Sequence, residues 1–206
     1  MLYIKKDSTP NELTEYKNNG NNSYESFPQK RAIRVSLLNE QTQLCAYCMQ
    51  RISVEKMKIE HFKSQTSNPE LQLEYSNMLG CCLGQEGKPY KQQTCDTHKG
   101  DIPLSLNPSV KSDFDKMRIM YSDDGAIISL DEKFDNEINT VLNLNTNLLK
   151  NNRRVMIEAA KQALNFKSGI RTKSEIEKLI DKFKSQHKPF YGAAVYYLEK
   201  KLKSAR

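Results

Sequence analysis

All five cysteines of this 206-residue chain fall between Cys45 and Cys95, and that clustering constrains the fold more than any other feature. Cys45-Ala-Tyr-Cys48 is a C-x-x-C turn, a spacing that aims two sulfurs at one point. Two more thiols follow, at Cys82 (or its neighbour Cys81) and at Cys95. Four thiolates in two halves are the donor set of a closed, tetrahedral structural zinc site. A redox-active C-x-x-C pair calls for a βαβ context, which the flanking sequence lacks.

The rest of the composition agrees with metal rather than disulfides. The start, MLYIKKDSTPNE, has no apolar core of a signal peptide, and no apolar run reaches the roughly 18 residues of a membrane span. A cytoplasmic protein with reduced thiols is expected. Charged residues make up 28% and hydrophobic residues 37% of the chain, and its net charge of +7 favours a polyanionic partner. The length predicts one core, with room for a helical extension.

Between the two thiol pairs stand Glu60-His61 and Asn77, and Asp96 and His98 follow Cys95. Carboxylates, an amide and imidazoles are hard donors suited to a magnesium-type ion and to phosphate chemistry. Residues 56–62, KMKIEHF, read as a strand. Glu60 and His61 start on its opposite faces, so a twist or bulge is expected to aim both at one phosphate.

This order of residues, with C-x-x-C, Glu-His, an Asn five residues before a Cys and then Cys-Asp-x-x-Lys, resembles the HNH endonucleases, the ββα-metal nucleases. The wording IEHFKSQ…PEL…YSNMLGCC…CDTHKGD resembles more narrowly the PtuB-like HNH proteins of Septu-type and retron-associated anti-phage systems. LLNEQTQLCAYC and VLNLNTNLLKNNRR are similar to that group too, so the resemblance covers roughly residues 30–155. It implies zinc on Cys45, Cys48, Cys82 and Cys95, with Cys81 left as a small core residue. It further implies His61 as general base, a magnesium-type ion held by Glu60 and either Asp96 or His98, and Asn77 orienting His61 or holding water on the ion. Many HNH proteins carry a His directly after the last Cys. Here that position is Asp96, with His98 as the competing ligand. Lys63, Lys88 and Lys99 are candidate nucleic-acid contacts, although Lys99, three residues after Asp96, is also placed to pair with an acid on its helix.

Elsewhere the chain reads mainly as helices. Residues 1–28 read as a lead-in with a short strand at residues 1–6, a helix near 12–17 and an Asn-rich loop. A helix over 29–42 delivers the chain to the first thiols. Residues 103–114 read as a connector, and Ser122-Asp-Asp-Gly125 as a hairpin turn flanked by strands at 116–120 and 126–129. Helices are expected over 138–149, broken at Asn145, over 152–166, from a capping box at Ser174–Glu177 to about 184, and over 190–202. His187 reads as structural.

The expected fold class is α+β: a ββα-metal core with structural zinc, embedded in a mainly helical domain. The expected division is an N-terminal segment (1–28), a nuclease core (29–110), and a hairpin with helices packed on it (111–206). The expected function is metal-dependent cleavage of phosphodiester bonds in DNA or RNA, tRNA included. The resemblance adds a role in anti-phage defence beside a separate PtuA-like ATPase, since the chain has no G-x-x-x-x-G-K-[ST] loop of its own. The rival is a zinc-stabilised nucleic-acid or protein adaptor without catalysis, which uses the same cysteines and charge but not Glu60, His61 and Asn77 together.

Overall fold

Eight α-helices, three 3-10 turns and two short antiparallel hairpins are the regular elements among the described residues of the computed structural model, which are 1–20, 23–166 and 171–205. Asn11–Asn18 forms α1 and Lys30–Glu40 forms α2. The lead-in is more ordered than its polar composition predicts. Residues 1–10 form no strand; instead the Ile4 amide donates to the Pro108 carbonyl at 3.0 Å. Ile4, Leu13 and Phe27 are buried in the main core. Burying such a side chain contributes about 1.5–3 kcal/mol, against roughly 0.5–1 kcal/mol of rotamer entropy for Leu or Ile. Burial wins, and it holds the segment down. Asn21 and Asn22 of the expected loop lie outside the described residues.

The first hairpin pairs β1 (Lys58–His61) with β2 (Met78–Cys81), Lys58 opposite Cys81 and His61 opposite Met78. The register is one-to-one, so no bulge interrupts it. The short helix α3 (Cys95–Lys99) completes a ββα unit. Gln41, at the end of α2, fastens the unit from behind: its amide donates to the Gly80 carbonyl at 2.7 Å and accepts from the Gly80 amide at 2.7 Å. Gly80 permits this approach, because a Cβ there would stand 2.9 Å from Met57 and 3.2 Å from Gln41.

Beyond the core, α4 (Lys111–Met117) occupies what read as connector and strand, and the second hairpin shrinks to β3 (Met120–Tyr121) and β4 (Ile127–Ile128). The expected helix over 138–149 is two helices, α5 (Glu132–Thr140) and α6 (Asn147–Asn165). The break spans 141–146 because Leu142 and Leu144 turn into the core and Asn145 acts as a strand partner. The Asn145 side chain accepts from the Ile127 amide and donates to its carbonyl, both at 2.9 Å. Thr146 then caps α6. The capping box of α7 (Lys173–Ser185) is Thr172 with Glu175, two residues before the expected pair. α8 (Tyr191–Ser204) buries Tyr191, Ala194, Val195 and Leu198, packing against α6 and α7. One apolar cluster runs from Met1 to Leu198. The fold is α+β, dominated by helix, and no helix among the described residues is long and apolar enough to cross a membrane.

Candidate active site

Two sites share the ββα unit. The first is the thiol cluster. The sulfurs of Cys45 and Cys95 lie 3.8 Å apart, those of Cys48 and Cys82 3.7 Å, and those of Cys82 and Cys95 3.8 Å. All four lie mutually within 4.8 Å and are buried. A tetrahedral ion with metal–sulfur bonds of about 2.3 Å spaces its sulfurs about 3.8 Å apart, so the cluster has the dimensions of a zinc site. Burial disfavours a thiolate at Cys45, yet the sulfurs around it outweigh burial and hold its pKa well below the usual thiol value. The thiols of Cys48 and Cys95 are pushed up, first by the Cys45 sulfur. Four buried sulfurs within 4.8 Å of one another are an arrangement that a soft dication suits. Cys81 is buried but stands outside the cluster, which favours Cys82 over Cys81 as the third sulfur. The Gln50 amide donates to Cys48 Sγ at 3.4 Å.

The loop from Leu83 to Thr94 leaves and returns beside the cluster. Gly84 closes it: its φ is +54°, and a Cβ there would sit 2.2 Å from the Thr94 carbonyl oxygen. Lys88 lies exposed on this loop.

The second site is a cleft of about 360 Å³, lined by Glu60, His61 and Asp96 together with Ser64, Thr97 and Asp101. Three other clefts of about 460 Å³ contain no histidine. Glu60 Oε1 accepts from the Tyr47 hydroxyl at 3.0 Å and pairs with Lys99 Nζ at 2.9 Å. Burial first, and the adjacent Asp96 carboxyl second, raise the Glu60 pKa well above its usual value, against the pull of Lys99. Two crowded carboxyl groups at a cleft suit a magnesium-type ion, which binds through one or two carboxylates and otherwise to water and phosphate.

His61 is buried, with Nε2 2.9 Å from the Gln72 carbonyl oxygen. The Tyr24 ring stands edge-on to it, centroids 4.6 Å apart, and the Tyr24 amide is held by the Gln72 side chain at 3.0 Å. Burial lowers the His61 pKa below 6.5, so the imidazole is neutral near pH 7.

The remaining expected residues separate. Asn77 is buried, with its amide spent on backbone: it accepts from the Lys63 N–H at 2.8 Å and donates to the Lys63 carbonyl at 3.0 Å. It thereby fixes the chain just past His61, and the Lys63 side chain is exposed. His98 faces away from the cleft, with Nδ1 2.8 Å from the Val141 carbonyl and its ring stacked on Tyr90. Lys99 is only 1% exposed and paired to Glu60, so its charge is satisfied internally rather than offered to a phosphate backbone. Sequence reasoning missed Tyr47, Gln72 and Tyr24. Gln72 acts on His61 through its carbonyl, which no side-chain pattern signals.

No protein-family model matches the chain. It is 32% identical over 123 residues, 54% of its own length and 58% of the relative's, to "Retron Vc95 putative HNH endonuclease" of Vibrio cholerae serotype O1 biovar El Tor. It is 29% identical over 120 residues, 53% of its length and 43% of the relative's, to "Septu protein PtuB" of Bacillus thuringiensis. The chain thus spans about half the length of the curated relatives it matches. These two similarities bear out the likeness to PtuB-like HNH proteins that the motif residues carry.

Proposed function

We propose that the chain is a metal-dependent HNH endonuclease that hydrolyses phosphodiester bonds in nucleic acid, acting as the nuclease of an anti-phage defence system beside a separate PtuA-like ATPase in the cytoplasm. Residues 29–110 serve as its nuclease core and 111–206 as the region packed on it. The observation that carries the reading is the convergence of Glu60, His61 and Asp96 on one cleft at the ββα unit. An adaptor without catalysis has no use for that convergence.

The tautomer of His61 sets its role. A carbonyl only accepts, so Nε2 carries the hydrogen toward Gln72 and Nδ1 keeps a free lone pair. Nδ1 takes a proton from the water that attacks phosphorus in line. Glu60 and Asp96 would hold the divalent ion, which would supply Lewis-acid stabilisation of the charge that develops in the transition state. Asn77 positions the turn beyond His61. The four thiols would hold zinc and so tie the hairpin to α3. Lys63 and Lys88, both exposed, serve as phosphate contacts.

Incubating plasmid DNA and tRNA with the purified protein, with and without its ATPase partner and Mg²⁺, tests the reading. Cleavage that needs Mg²⁺ and stops with chelator supports it. Binding without cleavage under every condition favours the adaptor.

A further inference from the structure

Tyr47 has no part in binding zinc, yet it stands between two of the four thiols. It is fully buried, and its hydroxyl leaves the turn to donate to Glu60 Oε1 at 3.0 Å. Lys99 Nζ reaches the same oxygen at 2.9 Å. The Tyr47 and Lys99 contacts thus both fall on Oε1, so neither occupies Oε2, and the carboxyl beside Glu60 is that of Asp96. A carboxylate pinned on one oxygen offers the other in a fixed direction. A small ion that demands near-ideal octahedral geometry benefits from that. Both arms of the clamp are anchored at the thiol cluster. Tyr47 precedes Cys48 directly, and Lys99 lies on α3, which opens with Cys95 and carries Asp96.

We propose that Tyr47 is a positioning residue coupling the two metal sites. Closing the four thiols on zinc fixes the Tyr47 hydroxyl, and through it Glu60, as a one-oxygen ligand to a divalent ion shared with Asp96. The inference rests on the nuclease reading in one respect, that the cleft takes a divalent ion.

Mn²⁺ binding, followed by electron paramagnetic resonance without nucleic acid, tests it on the zinc-loaded parent, Tyr47→Phe and Tyr75→Phe. Phenylalanine keeps the packing and removes only the hydroxyl. Tyr75 is a fair control, because it is buried and donates to a different carboxylate, Glu40 Oε1, at 2.6 Å. Zinc content is measured on each protein. Tyr47→Phe should keep its zinc and bind Mn²⁺ roughly 10–100-fold more weakly, the loss typical of an outer partner of a metal ligand. Tyr75→Phe should match the parent. Parent-like Mn²⁺ affinity in Tyr47→Phe overturns the coupling while leaving the nuclease reading intact. Loss of zinc from Tyr47→Phe also overturns it, by making the tyrosine a support of the knuckle itself. A parent that binds no Mn²⁺ overturns both.

Discussion

The Gln72 carbonyl oxygen lies 2.9 Å from Nε2 of His61, and this contact assigns the imidazole its tautomer. Nε2 is the donor, Nδ1 the acceptor, and burial keeps the ring neutral by lowering its pKa below 6.5. A general base works only in its neutral form. Cleavage therefore rises with pH and reaches half its plateau below about pH 6.5, the value of an unperturbed histidine. A kcat/KM profile at saturating Mg²⁺ checks this; a midpoint above pH 7 contradicts it.

Elemental analysis should find about one zinc per chain. Structural zinc contributes on the order of 10–16 kcal/mol in small domains, as much as the whole stability of a typical protein, about 5–15 kcal/mol. Cys45→Ser should therefore lose the metal and unfold the ββα unit, seen as loss of protection in hydrogen exchange. Cys81→Ser should keep the metal and cost only about 1–3 kcal/mol, the cost of a buried hydroxyl in place of a thiol.

Asp96 and Glu60 line the cleft, whereas His98 is held by the Val141 carbonyl and Tyr90. Asp96→Ala should raise the Mg²⁺ concentration needed for half-maximal cleavage by at least roughly tenfold. His98→Gln should leave that requirement unchanged, because His98 supports α3 rather than the ion. The reverse pattern in a Mg²⁺ titration assigns the ligand to His98.

Arg153 is 2% exposed and donates to the Gly125 and Leu144 carbonyls, each at 2.6 Å. It closes the 141–146 break against the second hairpin. Arg153→Met strands both carbonyls at about 1–3 kcal/mol each, so urea unfolding should show a loss of roughly 2–6 kcal/mol. Arg154→Met, at the exposed neighbour, should stay within about 0.5 kcal/mol of the parent.

The parts of the site that were legible in sequence are those where chemistry is local. The C-x-x-C turn fixes two sulfurs by spacing alone, and Glu60-His61 stood out by its place between the thiol pairs. The parts that were not legible depend on distant contacts. Lys99 read as a nucleic-acid contact or as the partner of Asp96, since nothing near it in the chain shows that Glu60, 39 residues earlier, is its partner. The lead-in looked loose because its Asn and Ser outnumber the few side chains, Leu13 and Phe27 among them, that anchor it. The capping box slipped by two because Thr172/Glu175 and Ser174/Glu177 both satisfy the pattern, and Thr172 prevailed by taking the Glu175 amide as its donor.

The proposed nuclease requires His61 to be a base and not a brace. Removing a general base typically costs roughly 10²–10⁴ in rate. The decisive measurement is Mg²⁺-dependent cleavage by His61→Ala beside the parent, each with its zinc content and nucleic-acid affinity measured on the same preparation. Cleavage should fall below detection while zinc and binding stay at parent levels. Equal cleavage by the two proteins, freed of contaminating nuclease, contradicts it.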